Sequence, residues 1–310
     1  MIGGDLDQVV TAALGRDKRA VARLVTLFED PRVTSAAGRG HAMAILDGAG
    51  APPGRVIGFT GPPGAGKSTL VGELALRLAA ATAAVAVLAV DPASPISGGA
   101  LLGDRTRVRF PPGEPRLYFR SQSSGGAAGG IARTTFQVCR LLSRLFDLVI
   151  VETVGVGQSE IEIVRIADMT FLVLQPHGGD HVQFMKAGVM EVPDAFVVNK
   201  VDLDGAAATV HALRASLRLA APGRGDRPVY RTSARTGAGL DELAAAVRTG
   251  PGPGLAAREP AFFRRWIEAE YGRWGVDRLA RLAPDMEKYL ASHGGLDGAQ
   301  AAFEAAMGAC

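Results

Sequence analysis

Glycines, a lysine and a serine recur near residue 60 at a spacing that suits phosphate chemistry. They form the segment GPPGAGKS, residues 61 to 68, which fits the pattern G-x-x-x-x-G-K-S and lies between an apolar run and a helix-like run. Backbone N–H groups of such a loop surround phosphate oxygens, and the following helix N-terminus adds positive potential. Lys67 would contact the β- and γ-phosphates, and Ser68 could ligate Mg²⁺. The residues predicted to bind nucleotide here are Gly61, Gly64, Ala65, Gly66, Lys67, Ser68 and Thr69.

The segment NKVD follows the apolar run AFVV and ends at Asp202, and it predicts which nucleotide base the protein binds. A carboxylate at Asp202 could accept hydrogen bonds from both N1–H and N2–H of guanine, whereas adenine lacks this donor pair and would leave the acid unpaired. Lys200 could lie along the ring, and Asn199 could hold the loop in place. Ser233 and Ala234, in the segment TSA, could support guanine through backbone groups, although the same segment also fits an ordinary helix N-cap. We therefore predict GTP and GDP as ligands.

The stretch VIVETVGVGQSE, residues 149 to 160, brings a carboxylate to the end of another apolar run. Asp is the usual acid at such a position, but this chain has Glu152. Its carboxylate could hold Mg²⁺ directly or through water, or polarise the attacking water; capping a nearby helix is the structural alternative. Gly155 and Gly157 would let the loop approach the γ-phosphate and move after hydrolysis, and Gln158 could position water.

A turn-rich loop, residues 91 to 107, begins where another strand-like run ends. Its sequence is DPASPISGGALLGDRTR, in which Asp91 and Asp104 bracket a Gly/Ser/Pro stretch. Such a loop can swing a carboxylate toward Mg²⁺ when the γ-phosphate is present, although an ordinary surface loop has the same composition. We predict Asp91 and Asp104 as metal-site residues.

The segment QPHGGDHVQFMKAG, residues 175 to 188, also follows a strand-like run. Asp180 is expected to cap a helix that carries Lys186. His177 and His181 raise the alternative of a metal site, but no Cys or other ligand is paired with them in the sequence, so solvated loop histidines are the preferred interpretation.

Short apolar runs alternate with helix-like stretches through the middle of the chain, which predicts an α/β fold: a mostly parallel sheet with helices on both faces. Ligands bind beyond the carboxyl ends of the strands in such sheets, and the residues above accumulate there. The predicted strands are 56–60, 85–90, 148–151, 171–174, 195–198 and 229–232. The predicted helices between them are 68–78, 131–145, 181–191, 206–219 and 240–247.

Pro/Gly-rich segments at 49–54 and 249–254 divide the chain. They predict a helical N-terminal extension at 1–50, a nucleotide-binding domain at 51–250 and a helical C-terminal extension at 251–310. The low-complexity segment SQSSGGAAGG, residues 121 to 130, is expected to be a mobile loop.

Composition narrows the class of protein. The net charge is +3 and the basic residues are dispersed, so no nucleic-acid partner is expected. The two cysteines, Cys139 and Cys310, form no ligand pair, which fits a reducing compartment. The start of the chain lacks the pattern of a signal peptide, and the most apolar run, residues 78 to 90, is too short to span a bilayer. We expect a soluble cytoplasmic protein with no membrane partner.

The quoted segments, taken in order with the N-terminal GRDKRAVARLVTLFED, resemble the MeaB/ArgK-type GTPases, over roughly residues 5 to 250. These proteins, with the human MMAA protein, are chaperones of adenosylcobalamin-dependent acyl-CoA mutases. The resemblance implies a P-loop GTPase fold, with a metal site formed by Ser68, Asp91, Asp104 and Glu152 around Mg²⁺. It implies that Lys186 belongs to a third switch that responds to the mutase. The residues assigned to catalysis are then Lys67, Glu152, Gln158 and Lys186.

The resemblance also implies a homodimer supported by the C-terminal extension, and a GTPase cycle that gates loading of the cobalamin cofactor and protects or reactivates the mutase. It does not choose between methylmalonyl-CoA mutase and a mutase for a branched or hydroxylated acyl-CoA. Three alternatives share the phosphate chemistry: a GTPase that inserts nickel or cobalt, a nucleotide-held scaffold, and a small-molecule kinase of the arginine/ornithine transport type.

Overall fold

The computed structural model describes most of the chain in two compact units. The described residues are 3–30, 32, 35–81, 83–91, 110–111, 114–123, 134–153, 162–176, 192–220, 227–250, 252 and 254–308. The first unit comprises Met1–Pro53, Arg133–Leu145 and Pro253–Cys310. The second unit comprises Gly54–Ala132 and Phe146–Gly252.

A seven-stranded sheet forms the centre of the second unit, and every neighbouring pair of strands is parallel. The strand order is β3-β2-β4-β1-β5-β6-β7. Strands β1, β2, β4, β5 and β6 are buried along nearly their whole length, which explains why they read as continuous apolar runs. The strands are β1 (Arg55–Thr60), β2 (Val85–Asp91), β3 (Leu117–Ser123), β4 (Leu148–Thr153), β5 (Met169–Leu174), β6 (Ala195–Val198) and β7 (Val229–Arg231).

Helices cover both faces of this sheet because alternate strand residues point to opposite sides. On one face, helices α4 (Lys67–Ala80) and α7 (Leu240–Thr249) pack on residues such as Phe59, Ile150 and Phe171. On the other face, α6 (Ala206–Ala220) packs on Leu172, Phe196 and their neighbours. The expected α/β architecture is therefore confirmed.

The first unit is helical and joins both ends of the chain to one internal helix. Its helices are α1 (Gly3–Leu14), α2 (Lys18–Glu29), α3 (Ala36–Gly48), α5 (Thr135–Leu145), α8 (Glu259–Leu282, broken at Gly272), α9 (Met286–Ser292) and α10 (Leu296–Gly308). Phe136 of α5 stacks on Phe262 of α8 with ring centroids 4.3 Å apart. The terminal helices and α5 thus share one core.

A buried ionic network reinforces this core. The guanidinium of Arg140 in α5 donates to Glu259 of α8 at 2.7 Å and to Asp297 of α10 at 2.9 Å. Arg39 of α3 donates to the same Asp297 at 3.0 Å. Burial alone would lower the pKa of Arg140, but the carboxylates of Asp297 and Glu259 outweigh burial and raise it.

The predicted elements agree with the described ones apart from small shifts at their ends and one omission. Strand β3 was not predicted, because it lies at the edge of the sheet and its residues are only partly buried, so no apolar run marks it. The expectation of a loop at 121–130 is wrong for residues 121–123, which belong to β3; residues 124–130 lie outside the described residues. The predicted helix at 181–191 also lies outside them. Within the described ranges, none of the helices has both the length and the apolar character needed to cross a membrane.

Candidate functional site

The polar residues predicted to act on nucleotide follow adjacent strands of the sheet. The register pairs Phe59 of β1 with Glu152 of β4, and Glu152 with Ala89 of β2. The carboxyl ends of these three strands therefore lie side by side at the same end of the sheet, and the loop that follows β1 begins there. This is the position at which doubly wound parallel sheets bind ligands.

Glycine is required at two positions of the loop between β1 and α4. Gly61 has φ 140°, and a Cβ there would lie 2.1 Å from the carbonyl oxygen of Val173. Gly66 has φ 81°, and a Cβ there would lie 2.7 Å from Nδ2 of Asn199. Any side chain at either position would be strained and would clash. Glycine at these two positions therefore allows the loop to take this conformation against Val173 and Asn199.

Lys67 begins α4 and folds back over the loop. Its side chain is buried, and Nζ donates to the carbonyl oxygens of Gly61 at 2.7 Å and Pro62 at 3.0 Å. These contacts hold a positive charge at the mouth of the loop, beside the helix N-terminus. Thr69, two positions further on, is exposed.

A hydroxyl and a carboxylate are hydrogen-bonded to each other at the carboxyl end of the central strand β4. Ser68 Oγ donates a hydrogen bond of 2.7 Å to Glu152 Oε1, and both side chains are buried. Thr153 Oγ1 donates to Thr60 Oγ1 at 2.9 Å, which links the ends of β4 and β1. Asp91, at the end of neighbouring β2, is buried and accepts a hydrogen bond from Ser121 of β3.

These oxygen groups fit the chemistry of a magnesium site. Mg²⁺ prefers hard oxygen ligands, and nucleotide sites supply it with one or two carboxylates, water and phosphate oxygens. Ser68 and Glu152 are close enough to ligate one ion together, and Asp91 lies at the same edge of the sheet. Among the described residues, no group of three His, Cys, Asp or Glu side chains forms a metal cluster.

Asn199 ties three loops together beneath the predicted base site. Its Nδ2 donates to the carbonyl oxygen of Ala65 at 2.9 Å. Its Oδ1 accepts from the Thr232 hydroxyl at 3.3 Å and from the Ala234 backbone N–H at 3.2 Å. Because Asn199 is only 1% exposed, each of these bonds satisfies a group that water cannot reach.

Lys200 connects the segment NKVD, which is predicted to bind the base, with the phosphate loop. Its backbone has φ 60°, a left-handed conformation that is uncommon for a residue with a side chain. This conformation accompanies two hydrogen bonds of Nζ, each 2.6 Å long, to the carbonyl oxygen of Gly64 and to Oε1 of Gln175. Gln175 was not predicted as a site residue; only its place directly after β5 could have indicated it.

Asp202 is held by two neighbours from the segment after β7. Ser233 donates its hydroxyl to Oδ1, and the Arg235 guanidinium binds Oδ2 at 3.0 Å from Nε and 2.8 Å from Nη2. The Ser233 hydrogen bond, assisted by the charge of Arg235, lowers the pKa of the Asp202 carboxyl below its ordinary value. The carboxylate is therefore ionised at neutral pH. Arg235 was not predicted as a site residue, since a single charged residue after TSA forms no recognisable motif.

The structure thus brings together the described part of the predicted site. The phosphate loop contacts Asn199 and Lys200, and Asp202 contacts Ser233. Three predicted site residues, Asp104, Gln158 and Lys186, lie outside the described residues.

Comparison with known proteins identifies the family. Residues 21–250 match the family model described as methylmalonyl Co-A mutase-associated GTPase MeaB. A relative from Pyrococcus horikoshii that is named as a GTPase is 39% identical over 244 residues, which are 77% of this chain and 75% of that protein.

The mouse protein named methylmalonic aciduria type A homolog, mitochondrial, is 40% identical over 195 residues, which cover 60% of this chain and 46% of the mouse protein. The crystal structure of a LAO/AO transport system kinase matches with a TM-score of 0.63 and 25% identity, over 94% of this chain and 91% of the other. The chain therefore belongs to the MeaB family of methylmalonyl-CoA mutase-associated GTPases and is itself a GTPase.

Proposed function

We propose that this GTPase is a chaperone of an adenosylcobalamin-dependent acyl-CoA mutase. In this proposal, GTP binding and hydrolysis gate loading of the cobalamin cofactor and protect or reactivate the mutase. The family description, which names association with methylmalonyl-CoA mutase, and the similarity to the mouse methylmalonic aciduria type A homolog support the partner class.

The observation that best supports nucleotide binding is the set of hydrogen bonds between the phosphate loop and the segment NKVD, which is predicted to bind guanine. Asn199 binds the Ala65 carbonyl, and Lys200 binds the Gly64 carbonyl. Groups that would contact the base are therefore fastened to groups that would contact the phosphates. A nucleotide with the correct base would reach a loop that is already ordered, which reduces the entropic cost of binding.

The residues of the predicted site then have definite tasks. The loop from Gly61 to Gly66 surrounds the phosphates, Lys67 neutralises them, and Asp202 accepts N1–H and N2–H of guanine. Ser68 and Glu152 would hold Mg²⁺ with Asp91 and Asp104. When bound, that ion neutralises charge that develops on the β- and γ-phosphate oxygens. Glu152 and Gln158 would also orient the attacking water.

The route from nucleotide to mutase is proposed to start at Gln175. This residue binds Lys200 and is the first residue of the segment 175–188, which includes Lys186. If Lys200 moved on nucleotide exchange, its hydrogen bond to Gln175 would change. The segment that follows Gln175, which is proposed to respond to the mutase, would then change as well.

Homodimerisation through the C-terminal helices and a cytoplasmic location complete the proposal. The helix α8 presents Trp274, whose surface is 52% exposed, and large exposed aromatic side chains favour protein interfaces. Light scattering should give twice the chain mass of 32.1 kDa. A monomer at micromolar concentration would contradict this part of the proposal.

A reconstitution experiment tests the chaperone activity. The protein is mixed with apo-mutase and adenosylcobalamin, in the presence of GTP, GDP, a non-hydrolysable GTP analogue or no nucleotide. We expect cofactor loading to depend on the nucleotide, and the mutase to accelerate GTP hydrolysis. Loading at one rate under all four conditions would contradict the proposal. A Glu152→Gln variant separates nucleotide binding from hydrolysis in the same assay.

A further inference from the structure

The last residues of β5 contact two loops of the candidate site. A Cβ on Gly61 would lie 2.1 Å from the carbonyl oxygen of Val173, so the phosphate loop runs directly against the backbone there. The carbonyl oxygen of Leu174 accepts a hydrogen bond of 2.8 Å from the backbone N–H of Asn199, the first residue of NKVD. The end of β5 therefore contacts both the phosphate loop and the segment that is predicted to bind guanine.

Gln175, the residue that follows β5, contacts both loops with its side chain. Its Oε1 accepts a hydrogen bond of 2.6 Å from Nζ of Lys200, and the same Nζ donates to the carbonyl oxygen of Gly64 at 2.6 Å. Its Nε2 lies 3.6 Å from the position that a Cβ on Gly64 would take. An ammonium group can only donate hydrogen bonds, so Lys200 fixes which way the Gln175 amide points. The amide is thereby held beside the phosphate loop.

Lys200 has a side chain whose position must be fixed if a base is to pack along it. A lysine side chain loses much conformational entropy when it is fixed in one place. The hydrogen bond to Gln175 is partly buried, whereas the one to the Gly64 carbonyl is exposed, so water competes less with Gln175 for the ammonium. Contacts within the protein thus order the Lys200 side chain, which reduces the entropic cost of binding a base.

We propose that Gln175 is a positioning residue for nucleotide binding, which holds the ammonium of Lys200 beside the phosphate loop so that the aliphatic part of this lysine can lie along the base. This inference rests on the proposed role of Lys200 at the guanine ring. Gln175 acts through Lys200 and recognises no group of the base itself. It therefore contributes equally to the affinities for GTP, GDP and ITP, whose base lacks the 2-amino group of guanine.

A double-mutant cycle between Gln175→Met and Lys200→Met tests this role, with the Kd of GDP measured by titration in the presence of Mg²⁺. Methionine is about as long as either side chain and lacks their N–H donors and amide oxygen. We expect Gln175→Met to raise the Kd of GDP about 3- to 10-fold, because a hydrogen bond to a charged, partly buried group is lost. In the Lys200→Met background, the same substitution should change the Kd by less than about 2-fold, since the donor is already gone.

Two further measurements separate this role from a general loss of structure. In Gln175→Met, KM for GTP should rise with Kd, while kcat at saturating GTP stays within about 2-fold of the wild type. The ratio of the Kd values of ITP and GTP should equal that of the wild type. Gln175→Ala, which introduces no larger side chain, should show the same coupling with Lys200 and replaces Gln175→Met if that variant folds poorly. The control is Gln8→Met, the same change at an exposed residue of α1, which should leave every Kd unchanged.

Unchanged GDP binding in Gln175→Met would overturn the inference, and so would an equal loss of affinity in the wild-type and Lys200→Met backgrounds. A changed ratio between ITP and GTP, or a fall in kcat at saturating GTP, would also contradict it. If the wild type itself bound neither GTP nor GDP in the presence of Mg²⁺, the nucleotide site and this inference would both be wrong. If the wild type bound them and Gln175→Met bound them equally well, only the role of Gln175 would be wrong.

Discussion

Ser68 donates a 2.7 Å hydrogen bond to Glu152, which joins the first turn of α4 to the carboxyl end of β4. This contact gives a reason for a glutamate where an aspartate is usual. An aspartate at this position would place its carboxylate one carbon–carbon bond, roughly 1.5 Å, closer to the strand. The hydrogen bond to Ser68 would then be lost unless the strand moved toward the helix.

The first prediction concerns hydrolysis in a Glu152→Gln variant. The substitution keeps the shape and removes the negative charge that would hold Mg²⁺ and orient water. We expect kcat for GTP hydrolysis to fall on the order of 100-fold or more, while the Kd of GDP changes by less than about 5-fold. Phosphate release measures kcat, and nucleotide titration measures the Kd of GDP. The control is Glu162→Gln, the same change at a partly exposed residue paired with Arg165. Normal turnover in Glu152→Gln would remove this residue from the mechanism.

The fold could be predicted from the sequence where burial is complete. Strands such as β4 and β6 are buried on both sides, so each appears as a continuous apolar run followed by a polar turn. Edge strand β3 gives no such signal, because its residues 119 to 121 are only partly buried. The shared core of α5 and the terminal helices could not be predicted either, since contacts such as that between Arg140 and Glu259, 119 positions apart, leave no local pattern.

The candidate site likewise contains residues that could be predicted from the sequence and residues that could not. Gly61, Lys67 and Asp202 were predicted because a phosphate or a base demands a particular residue type at a particular spacing. Arg235 and Gln175 were missed because their roles depend on which loops meet in space. Any polar side chain of suitable length can make such contacts, so residue type alone does not mark them.

The second prediction concerns base choice in an Asp202→Asn variant. An amide offers one donor and one acceptor where the carboxylate offers only acceptors, so it pairs poorly with guanine and better with xanthine, which has a carbonyl at position 2. We expect GTP affinity to fall about 100-fold or more and XTP affinity to rise. Competition between labelled GDP and XTP measures both. The neighbouring exposed Asp204→Asn is the matched control and should bind GTP normally. Wild-type GTP affinity in Asp202→Asn would show that another group reads the base.

The third prediction concerns pH and Glu304 in α10. Its Oε2 is buried and accepts no hydrogen bond within the described part of the chain. Burial, together with the charge of Glu270 and against that of Arg39, raises the pKa of Glu304 above its ordinary value. The folded state thus holds this proton more tightly than the unfolded state. The resulting stability is complete below the unfolded pKa and is lost as pH rises through the folded pKa.

A Glu304→Gln variant should therefore be more stable than the wild type at pH 7.5 and equally stable near pH 4. We expect Tm to rise by about 1–3 °C at the higher pH. The two tryptophans, Trp266 and Trp274, both lie in α8, so tryptophan fluorescence reports on the unit that contains Glu304. Glu287→Gln, at an exposed residue of α9, should show no such pH dependence. An equal gain at both pH values would argue against titration of Glu304 as the cause.

The fourth prediction concerns the buried charge network of the helical unit. Replacing Arg140 with Met removes the cation that pairs with both Glu259 and Asp297, so Glu259 loses this partner and Asp297 keeps only its bond from Arg39. Breaking a buried ion pair in this way costs about 3–5 kcal/mol, so Tm of the helical unit should fall on the order of 10 °C. Tryptophan fluorescence during heating measures it. Arg144→Met, on the same helix, serves as control, because Arg144 pairs with the half-exposed Asp47 and should cost about 1 kcal/mol or less. If both variants melted at the wild-type temperature, the network would contribute nothing to the stability of this unit, and hydrophobic contacts such as that between Phe136 and Phe262 would have to hold α5 to α8 without it.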